Sequence, residues 1–547
     1  MSNSDGKHSG RPQEKMAHSG HRGATRLNSY GMARHDMGKT GGGVTKLLKE
    51  IRFGEPDANV EYINSLRSNT SPLYLRAWSR PEVQNYDDFA NGQKFIITGH
   101  KGTGKTAILR HMDHTAVQGG YKTEFIVFKN EILREAELLQ IDNSAMTGSI
   151  IEEDNFRTTK FYYHAIKRVM VSLLVSKLKA SDSSAANNGD GKDLITRLVG
   201  VGGKEALRIA FDSILNVVQS VDIDLEKATK GILKVDPSQL VKKANDDFLN
   251  QAVRMAKAQS AKIRIFFDEM HFAFRDRDTL RADAALVRDT ILAAQSINER
   301  FAEEGVDVVI YLALRREFLD QPEIAQADIV HSVESYGAVV SWEHYPSTKA
   351  HPIFDFITLR FKAAIGPNFS RTALLDTYLR DIDPVDLLNY TWAKPRDIVR
   401  FFKAAQAVDG NTVIISPNKY KTIIRIYSEQ SWRECKSALA AFIPTEAMPL
   451  LERGIKRLVP TQLDGSANLK LAQFQQSVRP AFQAAQEAGV KYDLDDFTDV
   501  LYMMGVFYYK YTDKNGQAIF QQYHRGNRSP DQTGEVRVHP AIAKALS

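Results

Sequence analysis

A chain of 547 residues exceeds what one hydrophobic core organises and implies about three domains. At 43% hydrophobic and 25% charged it has the composition of a globular protein, and no apolar run is long enough to span a bilayer, so no membrane partner is expected. The net charge of +6 is mild for this length and argues neither for nor against nucleic acid, while the single cysteine, Cys435, excludes an internal disulfide or a cysteine metal cluster and fits a reducing cytoplasm.

Residues 1–43 are rich in Gly, Ser, His and scattered Lys/Arg, carry no signal-peptide pattern, and read as a disordered tail. The spacing of His8, His18, His21 and His35 there fits no compact metal site. A short helical stretch is expected over Val44 to Arg52, then a helix through Leu66 after Phe53-Gly54-Glu55-Pro56-Asp57-Ala58.

The apolar run Phe95-Ile96-Ile97 predicts a strand, and Ala107-Ile108-Leu109 opens a helix. Between them stands Gly99-His100-Lys101-Gly102-Thr103-Gly104-Lys105-Thr106, a complete phosphate-binding loop. Its glycines allow a turn tight enough to aim backbone N–H groups into one concavity, Lys105 reaches the β/γ-phosphates, and Thr106 offers a hydroxyl to Mg²⁺. In that strand-to-helix setting the loop binds a nucleoside triphosphate rather than forming an ordinary Gly-rich turn.

A second strand is expected at Phe125 to Phe128 and a helix over Phe156 to Leu178, with a polar surface break at Ser181 to Gly191. Asp193 to Gln259 is mostly helical and long for a minimal phosphate-loop unit, so it reads as an elaboration on the core. The run Ile263, Ile265, Phe266, Phe267 then ends in Asp268-Glu269. At the carboxyl end of a buried parallel strand, Asp268 is placed to hold Mg²⁺ through its waters and Glu269 to orient or deprotonate the attacking water. After a helix from roughly Thr279 to Glu304, a buried strand over Val306 to Leu314 delivers Arg315 and Arg316. One of them reads the γ-phosphate, or the pair is a solvated helix start bridged to Glu317.

Beyond Ser341-Trp342 the β signals stop. Pro352 to Ile365 and Ser370 to Leu388 read as helices of a lid, and Pro395 sets the first turn of another, leaving Arg396 where a closing lid meets the γ-phosphate. The last hundred residues form a separate unit: helices at Phe474 to Glu487 and Leu494 to Met504, then a hairpin whose turn is Asp513-Lys514-Asn515-Gly516. With Arg525 and Arg528 as a basic tip, and Lys510, Lys514 and Arg537 nearby, this reads as a winged helix that meets either a DNA backbone or a protein.

These pieces in this order resemble prokaryotic P-loop ATPases related to the STAND and origin-recognition branches of the AAA+ class. The residues that carry the resemblance are Phe53-Gly54 with Asp57-Ala58, the loop Gly99 to Thr106, Asp268-Glu269, Leu314-Arg315-Arg316 with Phe318, Trp342, Lys394-Pro395-Arg396-Asp397, Leu501-Tyr502 with Gly505-Val506, and His539-Pro540. The resemblance implies an α/β parallel-sheet fold with a P-loop core over 44–345, a helical lid over 346–445 and a winged-helix-like domain over 446–547. It implies ATP as the nucleotide, an ATP-driven switch, Arg396 as the sensor-2 arginine, and a chain able to form homo-oligomers. Lys394 stands where many relatives carry glycine. An ATP hydrolase using Mg²⁺, associated with bacterial defence or DNA transactions, is the function expected; the alternative is a slowly exchanging nucleotide-binding scaffold that docks DNA or protein.

Overall fold

The computed structural model describes residues 45–80, 83–127, 161–179, 237–268, 277–319, 329–342, 351–440, 442–463, 469–490, 492–514, 516 and 518–547. The tail, the polar break at 181–191, most of the expected helical insertion, and Glu269 lie outside them.

The short apolar runs pair into a six-stranded sheet. In chain order its strands are β1 (Val83–Gln84), β2 (Ile96–Gly99), β3 (Lys122–Val127), β4 (Ile263–Asp268), β5 (Val308–Arg315) and β6 (Gly337–Val340). Their spatial order is β1-β6-β2-β5-β4-β3, with β1 antiparallel and the other pairs parallel. Both β2 and β4 are buried along their whole lengths, the signature of strands covered by helices on both faces. Those helices are α1 (Ala58–Arg67), α2 (Lys105–Gln118), α3 (Phe161–Lys179), α4 (Pro237–Ala258), α5 (Arg277–Glu303) and the single turn α6 (Arg316–Leu319). Helix α2 packs across β3 and β4, and α5 across β5 and α3.

The stagger between strands leaves one backbone stretch to satisfy. Strand β2 begins at Ile96, opposite Leu312, so on that side Ile310 of β5 lies before any strand partner. The buried Asn298 of α5 fills the gap: its Nδ2 donates to Ile310 O at 3.0 Å, and Ile310 N donates to its Oδ1 at 2.8 Å.

Two expected helices are broken. Between 44 and 52 only Leu48–Glu50 forms a helical turn, because Leu48 N and Lys49 N donate to Thr412 O and Gly410 O instead of running along a helix. Over 370–388 the chain makes a short turn at Arg371–Ala373, a wide turn at Leu374–Tyr378, and then a new helix, since Asp383 caps a start at Pro384 by accepting from Val385 N at 2.9 Å. The helices of this region are α7 (Ile353–Ile365), α8 (Pro384–Asn389), α9 (Pro395–Asp409) and α10 (Pro417–Leu439).

The C-terminal unit comprises α11 (Met448–Leu463), α12 (Leu471–Glu487), α13 (Leu494–Met503), a three-stranded antiparallel sheet of β7 (Phe507–Thr512), β8 (Ala518–Gln521) and β9 (Glu535–Val538), and α14 (Pro540–Leu546). The hairpin β7–β8 forms where the Asp-Lys-Asn-Gly turn predicts it. The unit packs on the preceding helices through α14 against α10, where Ala545 N donates to Ser428 Oγ at 3.1 Å. No helix among the described residues is long and apolar enough to cross a membrane.

Replacing Asn298 with alanine strands a buried N–H and a buried C=O on β5. A loss of about 2–4 kcal/mol is expected, read as a lower urea midpoint at unchanged m-value; an unchanged midpoint would show that water replaces the amide without cost.

Candidate functional site

Three strand ends define the floor of the site. Gly99 closes β2, Arg315 closes β5 directly beside it, and Asp268 closes β4 on the far side of β5. Ligands collect at the carboxyl ends of such strands. The loop from β2 to α2 rises over this edge, with Gly104 at φ +102° and Gly102 at φ +86°, both in the left-handed region that favours glycine. Gly102 also lets α9 approach, because a Cβ there would stand 3.3 Å from Arg396 Cβ. Trp342 Nε1 donates to Thr103 O at 3.0 Å and pins the loop from the other side.

One cleft is lined by Lys101, Gly102, Thr103, Gly104, Lys105 and Thr106 together with Asp268, Arg315 and Arg396. Among the described residues, those predicted from sequence thus converge with three exceptions. Gly99 and His100 do not line the cleft; they anchor the loop from behind. Arg316 does not line it either, because the alternation at the end of β5 turns Arg315 toward the loop and starts α6 with its neighbour. Asp268 is 2% exposed. Lys105 is half-buried, donates to Gly99 O at 2.6 Å and His100 O at 3.0 Å, and desolvation lowers its ammonium to about 8. Burial and the neighbouring Arg315 likewise bring Lys101 down to about 8. The first turn of α2, capped by Gly104 without a side-chain acceptor, points N–H groups at the same space, a ready anion site.

Two carboxylates hold this cationic loop, one expected only as a solvated partner of Arg315 or Arg316 and the other not singled out by local sequence. Glu317 is buried, not solvated: its Oε1 accepts from Lys101 N at 2.8 Å and lies 3.5 Å from His100 Nδ1. Although burial opposes its charge, His100, Lys105 and Arg315 hold it well below the usual carboxylate range. Glu434, in the C-terminal half of α10, pairs with Arg396 and Arg400 of α9 and lies 3.6 Å from Lys101. These cations outweigh its burial and depress its pKa strongly. Arg396 also donates from Nε to Pro56 O at 3.0 Å and reaches Asp57 Oδ2 at 3.4 Å. Nothing local in the sequence marks Glu434, whose partners lie in other elements.

The C-terminal unit touches the loop directly: the Tyr523 ring stands edge-on to His100, centroids 5.5 Å apart, and Trp392 Nε1 donates to Gly505 O at 3.3 Å. This corrects the expected basic tip. Arg525 sits in the turn Tyr523–Arg525 and points inward, its Nη2 donating to Leu388 O at 3.3 Å, and burial lowers its guanidinium to about 10. Arg537 is paired with Glu535 at 2.5 Å. Lys514 and Arg528 remain exposed, while the outer face of α13 shows Asp495, Asp496 and Asp499 to solvent.

No protein-family model matches the sequence, and no curated protein sequence does. Among solved structures the chain is similar to the Aeropyrum pernix ORC1 protein in complex with DNA, at 11% identity and a TM-score of 0.31, over 87% of this chain and 95% of that one.

Glu434 carries an acid-sensitive part of the stability. Its folded pKa lies below its ordinary 4.5, so its contribution is present above that value and is lost as pH falls beneath it. In denaturant titrations at stepped pH, wild type is expected to exceed Glu434→Gln at neutrality and to converge with it in acid; parallel curves would remove the ion cluster from the account.

Proposed function

We propose that this chain is a Mg²⁺-dependent ATPase that works as a nucleotide-driven switch, with a P-loop core, a helical lid and a winged-helix-like C-terminal domain as output. The observation that carries the reading is the single cleft that gathers Lys105 and Thr106 from α2, Asp268 from β4, Arg315 from β5 and Arg396 from α9. A triphosphate laid over the loop meets backbone N–H groups, the helix terminus and four cations, which suits three or four negative charges. The choice of adenine follows the resemblance to AAA+ ATPases.

Thr106 and Asp268, a hydroxyl and a buried carboxylate on one cleft wall, are hard oxygen donors of the kind Mg²⁺ takes in phosphate sites, so they fit the ion. Bound there, Mg²⁺ would neutralise part of the negative charge of the triphosphate. Lys105 exchanges the carbonyls of Gly99 and His100 for phosphate oxygens. Arg315 and Arg396 face the terminal phosphate from the sheet and from the lid, and reading it draws Arg396 away from Glu434. Glu269, next after Asp268, orients the attacking water. Release of Glu434 and the His100–Tyr523 contact give the nucleotide two routes to the C-terminal domain.

Lys105→Ala removes the principal phosphate cation. Calorimetry is expected to show at least a hundredfold weaker binding of ATP in the folded variant. Unchanged affinity would reject the loop assignment. Glu269→Gln is expected to bind ATP normally and to release phosphate at least tenfold more slowly. If wild type binds ATP but releases no phosphate, the slowly exchanging scaffold is the correct reading.

The acidic face of α13 and the inward Arg525 favour a protein partner at the C-terminal domain over a DNA duplex. Titration with duplex at about 50 mM salt, where phosphate contacts are strongest, is expected to give no saturable binding. Tight binding that weakens steeply with salt would restore the DNA interface.

A further inference from the structure

One buried guanidinium in the cleft has no part in the chemistry above. Arg360 lies on α7, one turn beyond Phe356, and is 4% exposed. Its Nε donates to Phe53 O at 2.9 Å, and its plane rests over the Phe356 ring, Cζ 4.0 Å from the centroid. Its Nη1 is buried with no hydrogen-bond partner, although Arg360 lines the same cleft as the phosphate loop. Arginine carries donors and no acceptor, and a buried unmatched N–H is costly unless something in the cleft accepts from it.

Its surroundings differ from those of the phosphate cations. Lys101 feels chiefly Arg315 and Glu434 and Lys105 chiefly Glu317 and Arg315, whereas the charge that acts on Arg360 is Glu61. Both oxygens of Glu61 are already engaged, accepting from Glu55 N at 2.7 Å and Tyr74 N at 2.8 Å. The walls of the cleft away from the loop include Tyr74, Trp78, Phe356 and Val399, with Trp78 backed by the stacked ring of His111 at 3.7 Å. Flat apolar walls suit the faces of a heteroaromatic ring, and a single in-plane donor suits a lone pair on its edge.

We propose that Arg360 is the base-reading residue of this cleft, its Nη1 donating to a ring nitrogen of the bound purine. The inference rests on the triphosphate reading of the site and adds its specificity-determining residue. With the phosphates fixed on the loop, the base extends along the apolar walls toward α7. There Arg360 is held in place by Phe53 O and Phe356, so its orientation does not have to be bought from binding energy.

The test is a calorimetric series with the full chain and Mg²⁺, using ATP, 1-deaza-, 3-deaza- and 7-deaza-ATP, and inorganic tripolyphosphate, for wild type, Arg360→Met and Arg360→Gln. In wild type one deaza analogue is expected to bind about ten- to hundredfold more weakly than ATP, the effect of losing one charge-assisted hydrogen bond. Arg360→Met should bind ATP as weakly and cease to distinguish that analogue, with tripolyphosphate affinity unchanged; Arg360→Gln, which keeps an N–H donor, should recover part of the loss. If no deaza analogue differs from ATP in wild type, the proposal falls whatever the variants do. It falls equally if Arg360→Met weakens tripolyphosphate as much as ATP, since Arg360 would then act on the loop. If tripolyphosphate fails to bind wild type while ATP binds, the phosphate-loop reading fails separately.

Discussion

Five cations meet around one loop: Lys101, Lys105, Arg315, Arg396 and Arg400. At an effective dielectric of about 20, like charges 4 Å apart repel by about 4 kcal/mol, so such a cluster assembles only with anions placed inside it. Glu317 and Glu434 are those anions. Glu317 is buried and Glu434 half-buried, each pairs with groups from other elements, and each therefore forces distant parts of the chain together. Glu317 ties the end of β5 to the loop backbone, and Glu434 ties α10 to α9 and to the loop. A loop crowded with cations is held by two carboxylates beside it.

This constraint explains the positions of α9 and α10. Helix α9 presents its first turn to the loop because Pro395 and the Lys394–Asp397 cap start it there, and because Gly102 lets Arg396 lie against the backbone. Helix α10 then has two jobs less than two turns apart on one rigid rod. Glu434 faces the loop, while Ser428 and its neighbours receive α14 of the C-terminal unit. A rearrangement of charge at the loop is thereby in physical contact with the C-terminal unit through α10 and through His100 and Tyr523.

Burial also separates the arginines by role. Arg396 and Arg315 face the loop, Arg360 faces the apolar end of the cleft, and Arg525 is spent on Leu388 O at the junction of the C-terminal unit with α8. Chemically identical side chains acquire different work from what surrounds them. A count of basic residues near a hairpin therefore says little about nucleic acid, since two of the five counted there are engaged internally.

Local rules sufficed wherever the physics is local. The loop Gly99 to Thr106, the apolar runs that became β2, β4 and β5, the start of α9 at Pro395 and the β7–β8 hairpin are each set by residues within a few positions of one another, and they were legible in the chain. Helix continuity over 44–52 and 370–388 was misread because backbone bonds to Thr412 and Gly410, and a cap at Asp383, outcompete apolar spacing. Which of Arg315 and Arg316 faces the cleft depended on the pleat at the end of β5. The burial of Glu317, the pairing of Glu434, the orphan donor of Arg360 and the inward turn of Arg525 depend on neighbours tens to hundreds of positions away. No periodicity encodes such meetings, because the energy of a buried charge is decided by the groups that the fold packs around it and not by those beside it in the chain.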